Sequence, residues 1–447
     1  MLIRELRVTP IAFRDPPLLN AGGVHEPHVL RAVLELTVAD GRGGRVTGLS
    51  ECTGHSWQLD WLELVAERVP GRSVYETGRL GRLVGDLLAG RAEDCDYSPG
   101  ASWRRWADRT QVPRSRGPAP VPASAFDVRR VRSALEVACL DAQGKLLGRP
   151  VTDLLGGRLR DSVPYAGYLF HKWAEHPAQD GRPAVPDAWG PALDPDGVVA
   201  QARRMVRRYG FRSLKLKGGV FPPGQEAATL RALRAEFPDH PLRIDPNAAW
   251  TVRTAVSVAR ELDGVLEYLE DPVAGVEAMG AVAARTAVPL ATNMCVTSRD
   301  DIRPALERGA VRILLGDHHI WGGLRATVAL GEMCRAVGWG LSMHSNSHLG
   351  ISLAAMTHAA AATPGLGHAC DTHYPWNADD DIVRPGPLTF VDGSLPVPTG
   401  PGLGVELDRA ALERLHAVYL RLGREHRDDG GYARRFGPGA GARVGRW

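Results

Sequence analysis

Six short stretches of this chain hold residues able to move protons or bind a cation. In FRSLKLKGG, Lys215 and Lys217 stand two apart, directly ahead of Gly218 and Gly219. Alternate side chains of a strand share a face, so both ammonium groups point the same way. On an exposed strand that pattern means only a solvated edge. Inside a closed pocket, two residues of rise place the charges roughly 6.6 Å apart, and at an effective dielectric of about 20 they repel by about 2.5 kcal/mol, enough to bring one lysine toward service as a base near neutral pH. In IDPNAAW, Asp245 and Asn247 project to one side of a strand end, Glu270 closes the strand in YLEDP, and Asn293 closes that in LATNM. Asp245, Glu270 and Asn293 form an all-oxygen donor set without thiol or imidazole, which suits Mg²⁺ completed by water and substrate oxygens and argues against zinc. GDHHIW and MHSNSHLG supply Asp317 and His344, with His318, His319 and His348 as competing imidazoles. A carboxylate bonded to one ring nitrogen fixes the tautomer and raises the basicity of the other, which makes a general base. A lysine, a His–Asp pair and a divalent cation together suit removal of a proton next to a carboxylate, with positive charge stabilising the enolate.

These residues need a scaffold that aims them at one point. Strand-like runs end near Lys217, Asp245, Glu270, Asn293, Asp317 and His344, at gaps of 28, 25, 23, 24 and 27 residues. That is the length of one strand–loop–helix–loop unit, so the strands are parallel, and six or more such units favour a barrel over an open sheet. Barrel active sites lie at the C-terminal ends of the strands, where all six positions would converge. His344 ends its run in phase with the other five, which singles it out from its neighbouring histidines. The intervening helices carry their own signals. After Trp250, Thr251 can cap a helix whose apolar stripe runs through Val252, Ala255, Val256, Ala259 and Leu262, and the Asp-Gly pair at 263 and 264 ends it.

The N-terminal part has a different texture. Three β-like runs, near Ile3 to Ile11, Val29 to Val38 and Arg45 to Ser50, read as a meander, and a helix is expected from about Val128 to Leu147. Between them, Arg91 to Ser124 is rich in Pro, Arg, Asp and Ser, contains Trp103 and Trp106, and reads as a long loop. At 447 residues with a formal charge of +3, the chain is enzyme-sized and offers no general reason to bind nucleic acid. Its six cysteines are scattered without a CxxC, which suits a reducing compartment. The N-terminus lacks a signal-like or membrane-spanning apolar run, so a cytoplasmic protein without a membrane partner is expected.

The quoted motifs resemble the enolase superfamily and, within it, the glucarate dehydratases. The resemblance extends from the N-terminal meander to the helix start at PGLGVELD, nearly the whole chain. It implies an α/β fold, a modified TIM barrel of (β/α)₇β type, with an α+β capping domain. The barrel would occupy 159–390, and the cap 1–158 completed by 391–447. KLKGG matches the family's lysine motif, with Lys217 as a base and Lys215 beside it. Asp245, Glu270 and Asn293 take the metal-ligand places for Mg²⁺, Asn247 that of an electrophilic amide, and His344 with Asp317 that of the dyad. Substrate contacts map onto Asn20, His25, Tyr168, Ser345, His373 and Arg427, the last suited to a bidentate grip on the distal carboxylate of a diacid. The implied activity is a hydro-lyase dehydrating a diacid sugar, D-glucarate before others, in a homo-oligomer. Three features depart from the pattern: Ala125 stands where the family has a threonine, Ile320 where an aromatic is usual, and the loop before Ala125 is longer. They leave room for another aldarate, for epimerisation, or for a weakly active or non-catalytic relative.

Overall fold

The alternating strands and helices from residue 162 onward close into a barrel. The structure, a computed structural model, describes residues 1–41, 43–89, 125–178, 184–423, 426–436 and 447. The loop expected over 91–124, with Trp103, Trp106, Cys95 and Ser124, lies outside them. Strands are numbered along the chain. The N-terminal part holds β1 (Ile3–Arg14), β2 (Leu19–Asn20), β3 (Gly23–Val24), β4 (His28–Ala39) and β5 (Arg45–Thr53). Next come β6 (Ser162–Phe170) and the small hairpin of β7 (Glu175–His176) and β8 (Val185–Pro186). Then follow β9 (Leu214–Lys217), β10 (Leu242–Asp245), β11 (Tyr268–Glu270), β12 (Leu290–Thr292), β13 (Ile313–Gly316), β14 (Gly340–Met343), β15 (Cys370–Thr372) and β16 (Ser394–Pro396).

Eight parallel strands lie in the order β14-β13-β12-β11-β10-β9-β6-β15, and a parallel bridge between Leu341 and Leu366 draws the two ends together. Seven long helices follow the first seven barrel strands, from Pro195–Tyr209 after β6 to Gly350–Ala362 after β14. The eighth strand is followed only by the short helix Tyr374–Asn377, which gives the (β/α)₇β arrangement. The helix Val252–Glu261 forms as its residues dictate: Thr251 Oγ1 accepts from the Thr254 amide at 3.2 Å, and Gly264 turns the chain at φ +72°. In β9, Leu214 and Leu216 are buried in the barrel core with Leu230 and Leu233 of the next helix. Burying each leucine contributes about 2 kcal/mol, and this sets which face the two lysines take.

The N-terminal strands β1, β4 and β5 form an antiparallel meander, and the helix Ala125–Leu147 packs across it. A Cβ at Gly48 would lie 2.0 Å from the Ala138 carbonyl oxygen, so only glycine lets the helix approach this closely. Asp141 of that helix accepts from the amides of Leu49 and Leu403, both at 2.7 Å, linking the two chain ends. The C-terminal helix Arg409–Leu422 packs on β1, where His416 Nδ1 donates to the Pro10 carbonyl at 2.7 Å. A hydrophobic cluster containing Phe13, Val33, Leu140, Leu324, Ile351 and Leu412 joins cap and barrel. One segment departs from the expected division at 390. β16 pairs antiparallel with β6, because Ser162–Pro164 extend past the parallel neighbours of β6 and leave an edge for it to fill. All five described cysteines are free and buried, and no described helix is long and apolar enough to cross a membrane.

Candidate active site

Lys217 ends β9 and donates to Asp245 Oδ2 at 2.6 Å and to Asn247 Oδ1 at 3.0 Å. Asn247 and Ala248 reach this position in left-handed backbone, at φ +54° and +61°. Gly219 has φ +76°, and a Cβ there would lie 2.3 Å from the Pro246 carbonyl oxygen, so the glycine after KLKG lets two neighbouring strand ends meet. Lys215 lies deeper, fully buried, with Nζ 2.6 Å from both Asp371 Oδ2 and Glu270 Oε2, 3.6 Å from Asp245 Oδ2 and 4.7 Å from the centre of the Tyr168 ring. The expectation that mutual repulsion would release a proton fails for this lysine. Burial pushes its pKa down, but Asp371, Glu270 and the other acidic neighbours outweigh that and raise it well above the ordinary value, so Lys215 stays charged.

Asp245 and Glu270 are buried on adjacent strands, and Asp271 and Asp371 add two more buried carboxyls. Burial pushes Glu270 well above the usual carboxylate range; Lys215 opposes this, while Asp245, Asp371 and Asp271 add to it. Asp271 is likewise raised, to about 7, by burial and by Asp245. Asp245 goes the other way: Lys217 and Lys215 outweigh its burial and hold it low. In the orientation that satisfies both ends of the Asn293 amide, its nitrogen donates to Asp271 Oδ2 at 2.9 Å and Glu270 Oε1 at 3.3 Å, and its oxygen accepts from His344 Nε2 at 3.1 Å. Four buried carboxyls, Asp245, Glu270, Asp271 and Asp371, thus face only two lysines, which fits a divalent cation between Asp245 and Glu270; Asn293 would join as a third ligand by turning its amide oxygen from His344 toward them. A second group, Asp317, His318 and His319, brings candidate ligand atoms within 4.8 Å of one another. Both Asp317 oxygens, however, are engaged by imidazoles.

His344 follows β14, and its Nδ1 donates to Asp317 Oδ2 at 2.9 Å. Asp317 Oδ1 accepts from the His319 amide at 2.9 Å and meets His319 Nδ1 at 3.0 Å. Burial raises the Asp317 carboxyl, but His319 and His344 outweigh it and hold it well below the usual range. It is therefore a fixed anion behind the His344 ring.

The residues expected to contact substrate fall into two connected groups. Tyr168 OH donates to Asp245 Oδ2 at 3.4 Å, the His373 ring lies 4.7 Å from that of Tyr168, and Ser345 Oγ accepts from the His373 amide at 3.2 Å. The His25 ring stacks on His373 at 6.3 Å, bringing the cap to the barrel mouth. Asn20 uses its side-chain oxygen to accept from the Gly22 amide at 2.6 Å, closing the β2–β3 turn. Arg427 departs from the expected free fork. Its Nη1 donates to Asp15 at 2.8 Å and its Nε to Asp429 at 2.5 Å, which leaves Nη2 buried without a hydrogen-bond partner among the described residues. Asp15, which also accepts from His25 Nδ1 at 2.9 Å, ties the two chain ends over the mouth.

Sequence reasoning missed Asp371, Asp271 and Asp15, and treated His319 only as a competitor of His344. Asp371 was reachable, since ACDTHYPW follows His344 by one more strand–helix period. Asp271 and Asp15 have no local signature, because their partners Thr292, Asn293 and Arg427 come from other segments.

The family model for enolase C-terminal domain-like proteins matches residues 197–411. A probable glucarate dehydratase from Streptomyces coelicolor is 48% identical over 446 residues, covering 99% of this chain and 96% of the relative. An enolase from Thermobispora bispora, crystallised with magnesium and formate, is 53% identical with a TM-score of 0.89 over 100% of both chains. An enolase from Mycobacterium smegmatis, crystallised with tartrate, is 51% identical with a TM-score of 0.88 over 100% of this chain and 98% of the other.

Proposed function

The chain belongs to the enolase superfamily, and we propose that it is a Mg²⁺-dependent dehydratase of a diacid sugar, converting D-glucarate to 5-dehydro-4-deoxy-D-glucarate. The observation that carries this reading is the order of strand ends around the mouth. Asp245 and Glu270 end β10 and β11 and Asn293 follows β12, flanked by Lys217 at the end of β9 and by Asp317 and His344 after β13 and β14. A substrate carboxylate held at the central group would present its α-carbon between two bases on opposite sides. The name of the relative supports the reaction, and tartrate, a hydroxy diacid, in a similar protein supports the substrate class.

Asp245, Glu270 and Asn293 would hold the cation, which as a Lewis acid lowers the cost of charge on the substrate carboxylate. His344 acts as the neutral ring, its proton on Nδ1 toward Asp317 and its Nε2 released from Asn293, and takes the C5 proton at Nε2 while the electron pair moves into the carboxylate. Lys215 stays protonated and Lys217 and Asn247 donate nearby, so positive charge and hydrogen bonds face the forming enediolate. The electron pair then returns to form a C4–C5 double bond as the C4–O bond breaks, and His344 gives its proton to the departing hydroxyl, which leaves as water. The enol product tautomerises to the 5-keto acid. Lys217 approaches the same carbon from the other side and would serve the C5 epimer, L-idarate.

The test is a panel of acid sugars with semicarbazide detection of α-keto acid and deuterium uptake from solvent. Keto acid from D-glucarate in Mg²⁺ is the expected result. Deuterium uptake without keto acid would mean epimerisation, and neither signal from any diacid would overturn the enzyme reading.

A further inference from the structure

We propose that Arg31 and Glu51, two side chains of the cap, are positioning residues for the His344–Asp317 proton-transfer pair. They lie on β4 and β5 and form a 2.9 Å ion pair with side chains 1% and 0% exposed. A buried pair of this kind adds little net stability over apolar packing, so its value lies in what it orients. Among the described residues, the further side-chain hydrogen bonds of the pair run into the barrel, toward one base. Glu51 Oε1 accepts from the Leu349 amide at 2.9 Å and Oε2 from the Ser352 amide at 3.1 Å. These amides belong to the start of the helix Gly350–Ala362, which has no side-chain cap of its own. The segment they pin begins at His344.

Arg31 holds the same region from a second direction. Its Nη1 donates to Asn346 Oδ1 at 3.3 Å and its Nη2 to Ser352 Oγ at 3.2 Å, and Nη2 lies 3.5 Å from His319 Nε2. The His319 ring is therefore fixed at both nitrogens: Nε2 meets Ser352 Oγ at 3.2 Å and the Glu51 carbonyl at 3.3 Å, while Nδ1 meets Asp317 Oδ1 at 3.0 Å. With Oδ1 anchored, Oδ2 is aimed at His344 Nδ1. Lys217 bonds to Asp245 and Asn247 and, among the described residues, to none of these groups, so the relay bears on one base alone.

This inference rests on the two-sided site proposed above, and the test separates them. In full-length Glu51→Gln and Arg31→Lys proteins, C5 deuterium exchange is measured from D-glucarate, the His344 side, and from L-idarate, the Lys217 side. A misplacement of the base predicts a roughly thirtyfold loss with D-glucarate and a change within about threefold with L-idarate. Imidazole ¹⁵N spectra supply a readout free of turnover, in which the His344 Nδ1 signal shifts in both variants. Arg31→Lys keeps the buried charge and carries the test where Glu51→Gln does not fold. Equal losses with both substrates, or an unchanged exchange ratio with an unchanged His344 signal, would overturn the positioning role. A parent protein that exchanges neither epimer would sink the two-sided reading, and the His344 signal then decides the relay by itself.

Discussion

The two sides of the barrel mouth are braced in opposite ways. On the Lys217 side, the fully buried Glu226 of the following helix accepts from the amides of Gly219, Val220 and Phe221 at 3.0, 2.8 and 3.1 Å, spanning at most seven residues of chain. On the His344 side, Glu51 does the equivalent work for Leu349 and Ser352 across about 300 residues, with Arg31 beside it. The electrostatics differ as well. Burial pushes Glu226 up to about 7, and three amides only partly offset it. Burial also opposes Glu51, but Arg31, His348 and the two amides outweigh it and hold that carboxyl below its ordinary value. The loop after Lys217 takes its hydrogen-bond brace from its own βα unit and only apolar packing from Leu19, Val24 and Tyr432, whereas the segment after His344 takes its brace from the N-terminal strands and inherits any movement of them.

The largest effect should fall on both sides alike. EDTA should abolish exchange from either epimer, added Mg²⁺ should restore it, and Glu270→Gln should weaken metal binding, read by calorimetry, because one of two anionic ligands is lost. Full activity in a rigorously metal-free preparation would break the idea of a shared centre. Next in size is the separation of the bases. His344→Asn should cut exchange from D-glucarate by roughly a hundredfold or more while sparing much of that from L-idarate, and Lys217→Ala should show the reverse bias. Equal loss in both variants would mean that the two sides do not act separately.

A smaller effect belongs to the cap alone. Arg427→Met removes the buried guanidinium beside Asp15, and should lower kcat/KM for D-glucarate by about tenfold to a hundredfold with little change for gluconate. Retained preference for the diacid in that variant would move the distal contact elsewhere.

The smallest effect is on stability, and its sign differs between the two sides. Glu226 has a raised folded pKa, so between pH 4.5 and about 7 the folded state holds more protons than the unfolded one and stability falls as pH rises, by about 3 kcal/mol for this group. Glu51 has a lowered one, so its contribution is present above pH 4.5 and is lost as pH falls through the folded value. Urea midpoints from pH 4 to 8 should therefore show Glu226→Gln gaining on the parent toward pH 7 and Glu51→Gln losing less than the parent toward acid. Parallel curves for the two variants would contradict the contrast.

Much of this architecture is local information. The 23- to 28-residue period sets the parallel barrel, and each strand end falls within one residue of the position read from sequence, because alternation and helix caps are properties of short segments. The inward aim of Lys215 and Lys217 follows from Leu214 and Leu216 once the sheet is known to close. Glycines that tolerate a close approach, such as Gly48 and Gly219, are legible only as breaks; what they approach is not.

The charge state of Lys215 marks the boundary. From sequence it has a lysine two residues away and a reason to lose its proton, yet it stays charged because Asp371, 156 residues distant, meets it at 2.6 Å. Arg427 is the same case: the chain supplies a guanidinium suited to a carboxylate, and the fold occupies two of its nitrogens with Asp15 and Asp429. Residue types and spacing decided which elements form and which side chains reach the mouth, since backbone geometry over a few residues is enough for that. Only the tertiary structure decided which of those groups are already paired, because electrostatic energy depends on distance through space and on burial, and neither is a function of separation along the chain.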